Sequence, residues 1–313
     1  MRLVAATPVP TGYRRRMDDR TRPEGDLRTV SANGLEFAYF SDGPEDGPLA
    51  LCLHGFPDTA HTWRHLLPRL ADAGYHAVAP FLRGYAPTAV PPGGHFDTGT
   101  LALDACALHE ALGGGDDAVI IGHDWGALLT YPAAAHDPGR WAKVVTMAVP
   151  PARSMGFGFF AYEQLRRSWY VFFFQTPLAE FAVSLDDHAF IDRLWADWSP
   201  GYDGAWDAAR VKEALADDAN LSAAIGYYRA MFAPPPDDPR AAAAQAAGEV
   251  DAPQPTLYLH GADDGCMGVD VVGPVTDHLS PGSEFVVVEG AGHFLHLERP
   301  DVVNGHVLRF LDG

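Results

Sequence analysis

The chain has 313 residues, with 22 Lys and Arg against 41 Asp and Glu, a formal net charge of −19. That balance excludes a nucleic-acid binder, which must displace counterions from phosphate, and a docker on anionic membranes, which needs clustered Lys and Arg. Hydrophobic residues at 47% and charged residues at 20% mark a globular chain, long enough to bury a large core without staples.

Residues 1–27 are rich in Arg, Pro, Thr and Asp without periodicity and read as an N-terminal arm. Arg14-Arg15-Arg16 is not followed by an apolar stretch, so no secretory signal is expected. Regular patterning starts at Arg28. Residues 29–32 and 35–40 read as a hairpin around the Asn33-Gly34 turn. Leu49 to Leu53 is an unbroken apolar run, the mark of a buried strand in a parallel sheet. Helix and strand then alternate: a helix over 62–73, a strand over 75–80, a helix over 98–112, a strand over 118–121, a helix after Gly126 and a strand over 143–149. Alternation of this kind predicts an α/β fold with a mostly parallel sheet flanked by helices.

The alternation stops after Pro150. Residues 151–250 have helical spacing, aromatic clusters and no convincing strand, and they read as a helical lid inserted between 28–150 and 251–313, the two parts of the α/β core. Strand patterning returns at 256–259 and 285–288, and a last helix spans 302–311. The longest apolar run, Trp169 to Phe174, is far short of the ~18 residues of a membrane span. Cys52, Cys106 and Cys266 are odd in number and widely spaced, without zinc spacing. They point to reduced thiols in a cytoplasmic protein.

The segment with the most chemistry is Val119-Ile120-Ile121-Gly122-His123-Asp124-Trp125-Gly126. Strand, small-x-x-x-small, helix is the pattern of a nucleophile elbow, whose glycines permit a sharp turn that thrusts the middle residue up. Here that residue is Asp124. A carboxylate is a nucleophile at pH 7 without a general base, and it suits attack on an sp³ carbon, forming an alkyl-enzyme ester. That points to opening an epoxide or displacing a halide. The bland alternative is an Asp that merely caps the following helix.

Hydrolysing such an ester takes a base for water and an acid group to orient it. His293, in Gly290-Ala291-Gly292-His293-Phe294, follows the last strand with glycines that allow its loop to return over the elbow. His54, His123 and His296 read as packing or hydrogen-bonding histidines. The acid is one of the adjacent Asp263 and Asp264, just past the strand over 256–259; the pattern alone leaves both open. The loop His54-Gly55-Phe56-Pro57 and the elbow suggest an oxyanion hole from the backbone N–H groups of Phe56 and Trp125.

These residues resemble the α/β-hydrolases of the epoxide hydrolase and haloalkane dehalogenase branch, over about residues 28–313. The Gly122-His123-Asp124-Trp125-Gly126 elbow is common to both subgroups. His54-Gly55-Phe56-Pro57 resembles the epoxide hydrolase form, whereas many dehalogenases carry an Asn as halide ligand at the place of Phe56. The resemblance implies two lid tyrosines that donate hydrogen bonds to the epoxide oxygen. Tyr170 matches the first and Tyr228 the second, with Tyr227 as the fallback. It also favours Asp264 over Asp263 and supports His293. One departure is Phe81, where the family usually has Asp.

The expected activity is therefore conversion of an epoxide to a vicinal diol, with no metal and no cofactor. A haloalkane or haloacid dehalogenase is the alternative enzyme, and a non-catalytic ligand-binding protein of the same fold is the alternative of another class. The expected partner is a small, neutral, apolar molecule, with no nucleic acid and no membrane; a homodimer is left open.

Overall fold

The structure is a computed structural model that describes residues 27–313, the Phe157 side chain excepted. The expected N-terminal arm thus lies outside the described residues, save Leu27, which already belongs to the first strand. Eight strands make one sheet: β1 (Leu27–Ala32), β2 (Leu35–Asp42), β3 (Leu49–Leu53), β4 (His76–Pro80), β5 (Val119–His123), β6 (Lys143–Met147), β7 (Thr256–Gly261) and β8 (Glu284–Val288). Their spatial order is β1-β2-β4-β3-β5-β6-β7-β8. β1 and β2 form the expected hairpin, with Asn33 and Gly34 both at positive φ (43° and 77°), and β2 runs antiparallel to β4. From β4 to β8 every pairing is parallel.

The parallel centre follows from composition. β3, β4, β5 and β7 are buried along their whole length, so both faces must be apolar, and helices cover both. The helix Thr98–Ala111 starts where Asp97 accepts the Thr100 N–H at 2.8 Å. The Trp125–His136 helix begins directly after Asp124, two residues earlier than the pattern suggested. Leu53, Gly122 and Thr146 lie abreast in register, as do His123 and Met147, so the parallel strands end level with one another. Ligand sites of open α/β sheets lie beyond that carboxyl edge.

Three segments depart locally from regular helical patterning. The helix expected over 62–73 is a 3₁₀ segment, Ala60–His65, followed by a short α-helix, Leu67–Asp72, because Pro68 at its first turn has no N–H to continue the ladder. The helix Ala179–Trp198 is broken by left-handed Asp186, Asp187 and His188, a conformation that Asp tolerates better than most residues. The helix Pro239–Ala247, within the segment read as a lid, packs on the Thr98–Ala111 and Trp125–His136 helices of the core layer. Its alanines allow close approach: a Cβ on Gly99 would overlap the Ala241 carbonyl. All other elements between Pro151 and that helix are also helical. No helix among the described residues is long and apolar enough to cross a membrane.

Candidate active site

Asp124 stands at the end of β5 with φ 53° and ψ −116°, a conformation that costs about 1–3 kcal/mol for a non-glycine residue. The turn closes only because its flanks are small. A Cβ on Gly122 would overlap the Gly126 carbonyl, and one on Gly126 would overlap the Leu53 carbonyl of the neighbouring strand. The loop after β3 meets the elbow from the side. Phe56 N–H donates to Asp124 Oδ1 at 2.8 Å, and Gly55 lies so close beneath the carboxylate that a Cβ there would run into it.

The loop after β7 carries Asp264, which is buried, while Asp263 is exposed. Asp264 Oδ1 accepts the Cys266 and Met267 N–H groups at 2.7 and 2.8 Å, and its Oδ2 lies 2.9 Å from His293 Nδ1. The loop after β8 presents His293 with Nε2 3.4 Å from Asp124 Oδ2, a charge contact rather than a well-formed hydrogen bond. Asp124, His293 and Asp264 thus form one connected line, and the structure separates Asp264 from Asp263.

The two tyrosines come from helices above this line. Tyr170 lies on Trp169–Phe173 and Tyr228 on Asp218–Ala230. Their rings meet edge to face at 5.5 Å. Tyr228 packs 5.2 Å from both Phe56 and Trp125, the two residues assigned to the oxyanion hole, and its hydroxyl makes no hydrogen bond of ordinary geometry. Tyr170 O–H sits 3.3 Å from Cys266 Sγ. Tyr227 points away and donates to the Arg83 carbonyl at 2.9 Å, so its hydroxyl is already employed in holding the loop after β4. That loop also contains Phe81, which packs against Phe40 and His61, while Arg83 pairs with buried Asp104.

The three remaining histidines are engaged elsewhere. His54 donates from Nδ1 to the Gly55 carbonyl and accepts the Leu82 N–H at Nε2. His123 donates from Nε2 to the His293 carbonyl at 2.9 Å. His296 Nε2 lies 2.5 Å from Thr62 Oγ1.

Several contacts lie beyond pattern reading because they join distant segments. The Trp198 carbonyl accepts both His293 N–H and Gly265 N–H at 3.0 Å, tying the His293 loop and the Asp264 loop to the helical segment. Ser199 Oγ accepts Phe294 N–H and donates to Glu298, whose other oxygen accepts Gly292 N–H. Trp195 stacks on Phe294 and donates to the Pro57 carbonyl at 2.9 Å. Trp195 is therefore a support for the His293 loop. Buried Gln164 bridges Cys266 and Gly268.

Residues 48–300 match a family profile described as the alpha/beta hydrolase fold. The chain belongs to the α/β hydrolase family.

Among relatives of this α/β hydrolase, epoxide hydrolase A of Mycobacterium tuberculosis is 27% identical, with 91% of this chain and 97% of the relative covered. The AB hydrolase superfamily protein YfhM of Bacillus subtilis is 28% identical over 90% of this chain and 96% of its own. Among solved structures, epoxide hydrolase A of Mycobacterium thermoresistibile superposes with a TM-score of 0.76 at 28% identity, covering 92% of this chain and 98% of that one. The Bacillus megaterium epoxide hydrolase, solved with an inhibitor, gives 0.78 at 25% identity over 91% and 100%.

The electrostatics of this hydrolase's site follow from burial and charge. Burial opposes a charged His293, but the Asp264 carboxylate and the contact with Asp124 outweigh it, and His293 is pushed up to about 10. Burial likewise opposes ionised Asp264, yet His293 holds it below the usual carboxylate range. His54 and His123 are driven down by burial, to about 4 and about 3, and His296 falls as well. His293 is therefore the one imidazolium of this group at neutral pH. Burial, reinforced by Cys266 and Asp124, raises both phenols at Tyr170 and Tyr228, so each keeps its proton.

Proposed function

We propose that this α/β hydrolase converts epoxides to vicinal diols through an ester on Asp124. The observation that carries the reading is a carboxylate at the elbow, where a serine hydrolase has its hydroxyl, facing two buried phenols that stay protonated. Phe56 N–H holds Oδ1 and leaves Oδ2 as the attacking oxygen. As Oδ2 bonds to a ring carbon and the ring C–O bond breaks, Tyr170 and Tyr228 donate hydrogen bonds to the oxygen that takes on the charge.

His293 must then change role. Flanked by two carboxylates it is an imidazolium, which cannot serve as a base. Esterification removes the charge of Asp124, so the pull that raised His293 weakens; its Nε2 proton goes to the new alkoxide, and the neutral imidazole can then take a proton from water. Hydroxide adds to the ester carbonyl, and the negative charge settles on Oδ1, held by the backbone N–H groups of Phe56 and Trp125. Collapse releases the diol, whose oxygen recovers the proton from His293. Asp264 keeps His293 in the tautomer this requires.

Phe56 argues against the dehalogenase reading. Its buried ring packs on Phe174 and Tyr228 and offers no group to hold a halide. The intact line from Asp124 through His293 to Asp264 argues against a receptor without activity. We also read residues 151–250 as the segment inserted into a core of 28–150 and 251–313; its helices before Pro239 form the lid, while the Pro239–Ala247 helix packs with the core layer, and Asp124, His293, Asp264, Tyr170 and Tyr228 are the catalytic groups. The substrate is read as small, neutral and apolar, and the three cysteines, all free thiols, accord with a cytoplasmic setting. Asp124→Ala must abolish diol formation across a panel of epoxides; survival of turnover would overturn the reading.

A further inference from the structure

Cys266 has no part in that reaction, yet its Sγ, an Asp124 oxygen and a His293 nitrogen all lie within 4.8 Å of one another, and all three residues are buried. We propose that Asp124, Cys266 and His293 form a capture site for a soft divalent cation of the Zn²⁺ class, which caps the nucleophile and blocks turnover. The inference rests on this geometry and not on which electrophile the enzyme takes.

Thiolate, imidazole and carboxylate are the donor set of Zn²⁺, and three protein ligands with the fourth position left to water is its arrangement in catalytic sites. Mg²⁺ and Ca²⁺, which require oxygen donors, are poorly served by it. His293 Nε2 stands 3.4 Å from Asp124 Oδ2. That is about the edge of a tetrahedron with bonds of ~2.1 Å, so two ligands are already placed. Bringing Cys266 Sγ to bonding distance needs a side-chain movement on the order of 1 Å.

Each of the three ligands is also held from behind. Asp264 accepts from His293 Nδ1, which leaves Nε2 to present its lone pair; this is the carboxylate–histidine–metal arrangement. Phe56 N–H holds the other oxygen of Asp124, and Tyr170 O–H lies against Cys266 Sγ. The Cys266 N–H bonds to Asp264, so thiol and imidazole hang from the same carboxylate. On binding, the His293 Nε2 proton and the Cys266 thiol proton leave to solvent. The Asp124 carboxylate and Cys266 thiolate then neutralise the dication. Both nucleophile and base are occupied, so substrate and metal exclude each other.

The test uses the full chain with ZnCl₂, CoCl₂ and MgCl₂ as probes. Zn²⁺ should inhibit turnover reversibly, with release by chelator, while Mg²⁺ at the same concentration does nothing. Co²⁺ should give a thiolate-to-metal charge-transfer band, displaced by Zn²⁺, which reports binding without any turnover. Outer ligands alone are worth 10- to 100-fold in affinity, so Cys266→Ser should weaken Zn²⁺ inhibition at least about tenfold and remove the band. Cys266→Ala should behave alike, and the wild-type band stands even if either variant folds poorly. Absence of both inhibition and band would overturn the proposal. So would a Cys266→Ser enzyme as sensitive as the wild type, which would place the metal elsewhere, for instance at the buried cluster of Asp58, His123 and His296.

Discussion

Replacing Gly55 by Ala tests how closely the loop after β3 is fitted to the nucleophile. A Cβ built at Gly55 falls 2.7 Å from Asp124 Cγ and nearer still to Oδ1 and Cβ. Tolerable contact begins near 3.4 Å, and the nearer atoms set the demand, so loop and carboxylate must part by roughly 1 Å. Whichever of them moves, the 2.8 Å bond from Phe56 N–H to Oδ1 opens. In the proposed reaction that bond aligns Asp124 for attack and later holds the oxyanion, so both steps should slow. Misplacement by about 1 Å costs on the order of 10²-fold, and loss of one oxyanion donor costs ~10²–10³-fold, so kcat/KM should fall by about 10²-fold. Rapid-quench kinetics with intact-protein mass spectrometry would separate ester formation from breakdown, and circular dichroism would check the fold. A folded Gly55→Ala enzyme within about threefold of wild-type kcat/KM would refute the reasoning.

Other expectations concern neighbouring groups. His293, raised to about 10 in the fold from an ordinary 6.5, contributes stability that is whole below pH 6.5 and is lost as pH rises through about 10. Thermal melts should therefore weaken across that window, and Asp124→Asn should flatten the decline and lower the His293 value seen by NMR titration. Tyr228→Phe should slow ester formation by ~10²-fold or more with little change in stability, because its hydroxyl holds nothing in the resting fold. Tyr227→Phe should do the reverse, costing about 0.5–1.5 kcal/mol in denaturant melts while ester formation persists. Ser199→Ala strips a partner from both Phe294 N–H and Glu298 and should cost about 1–3 kcal/mol. It should also slow ester hydrolysis more than ester formation, read from the ester level at steady state.

Much of the fold was legible because the central strands are unbroken apolar runs; β3 falls at Leu49–Leu53 as expected. What escaped depends on single residues or on distant partners. Pro68 splits one helix, and three left-handed residues break another, neither of which periodicity registers. The Pro239–Ala247 helix carries helical spacing whether it covers a site or packs on the core, so spacing could not place it. At the site, the turn at Asp124 and the loop of His293 were legible from the small residues around them, and the structure brings the two side chains together. Adjacent candidates were not separable by pattern: Tyr227 from Tyr228, and Asp263 from Asp264. Their difference is direction, toward Arg83 or the nucleophile, toward solvent or His293. The Trp198 carbonyl that joins the Asp264 and His293 loops has no signature, since any residue supplies a carbonyl.

The central claim is that the diol's new oxygen comes from Asp124 and not from water in the first turnover. Excess enzyme should therefore be mixed with an epoxide in H₂¹⁸O for a single turnover, and both diol and the peptide containing Asp124 should be weighed by mass spectrometry. Attack by Asp124 gives unlabelled diol and ¹⁸O in Asp124. Labelled diol with an unlabelled Asp124 would mean that water attacks the epoxide directly, and would contradict the claim.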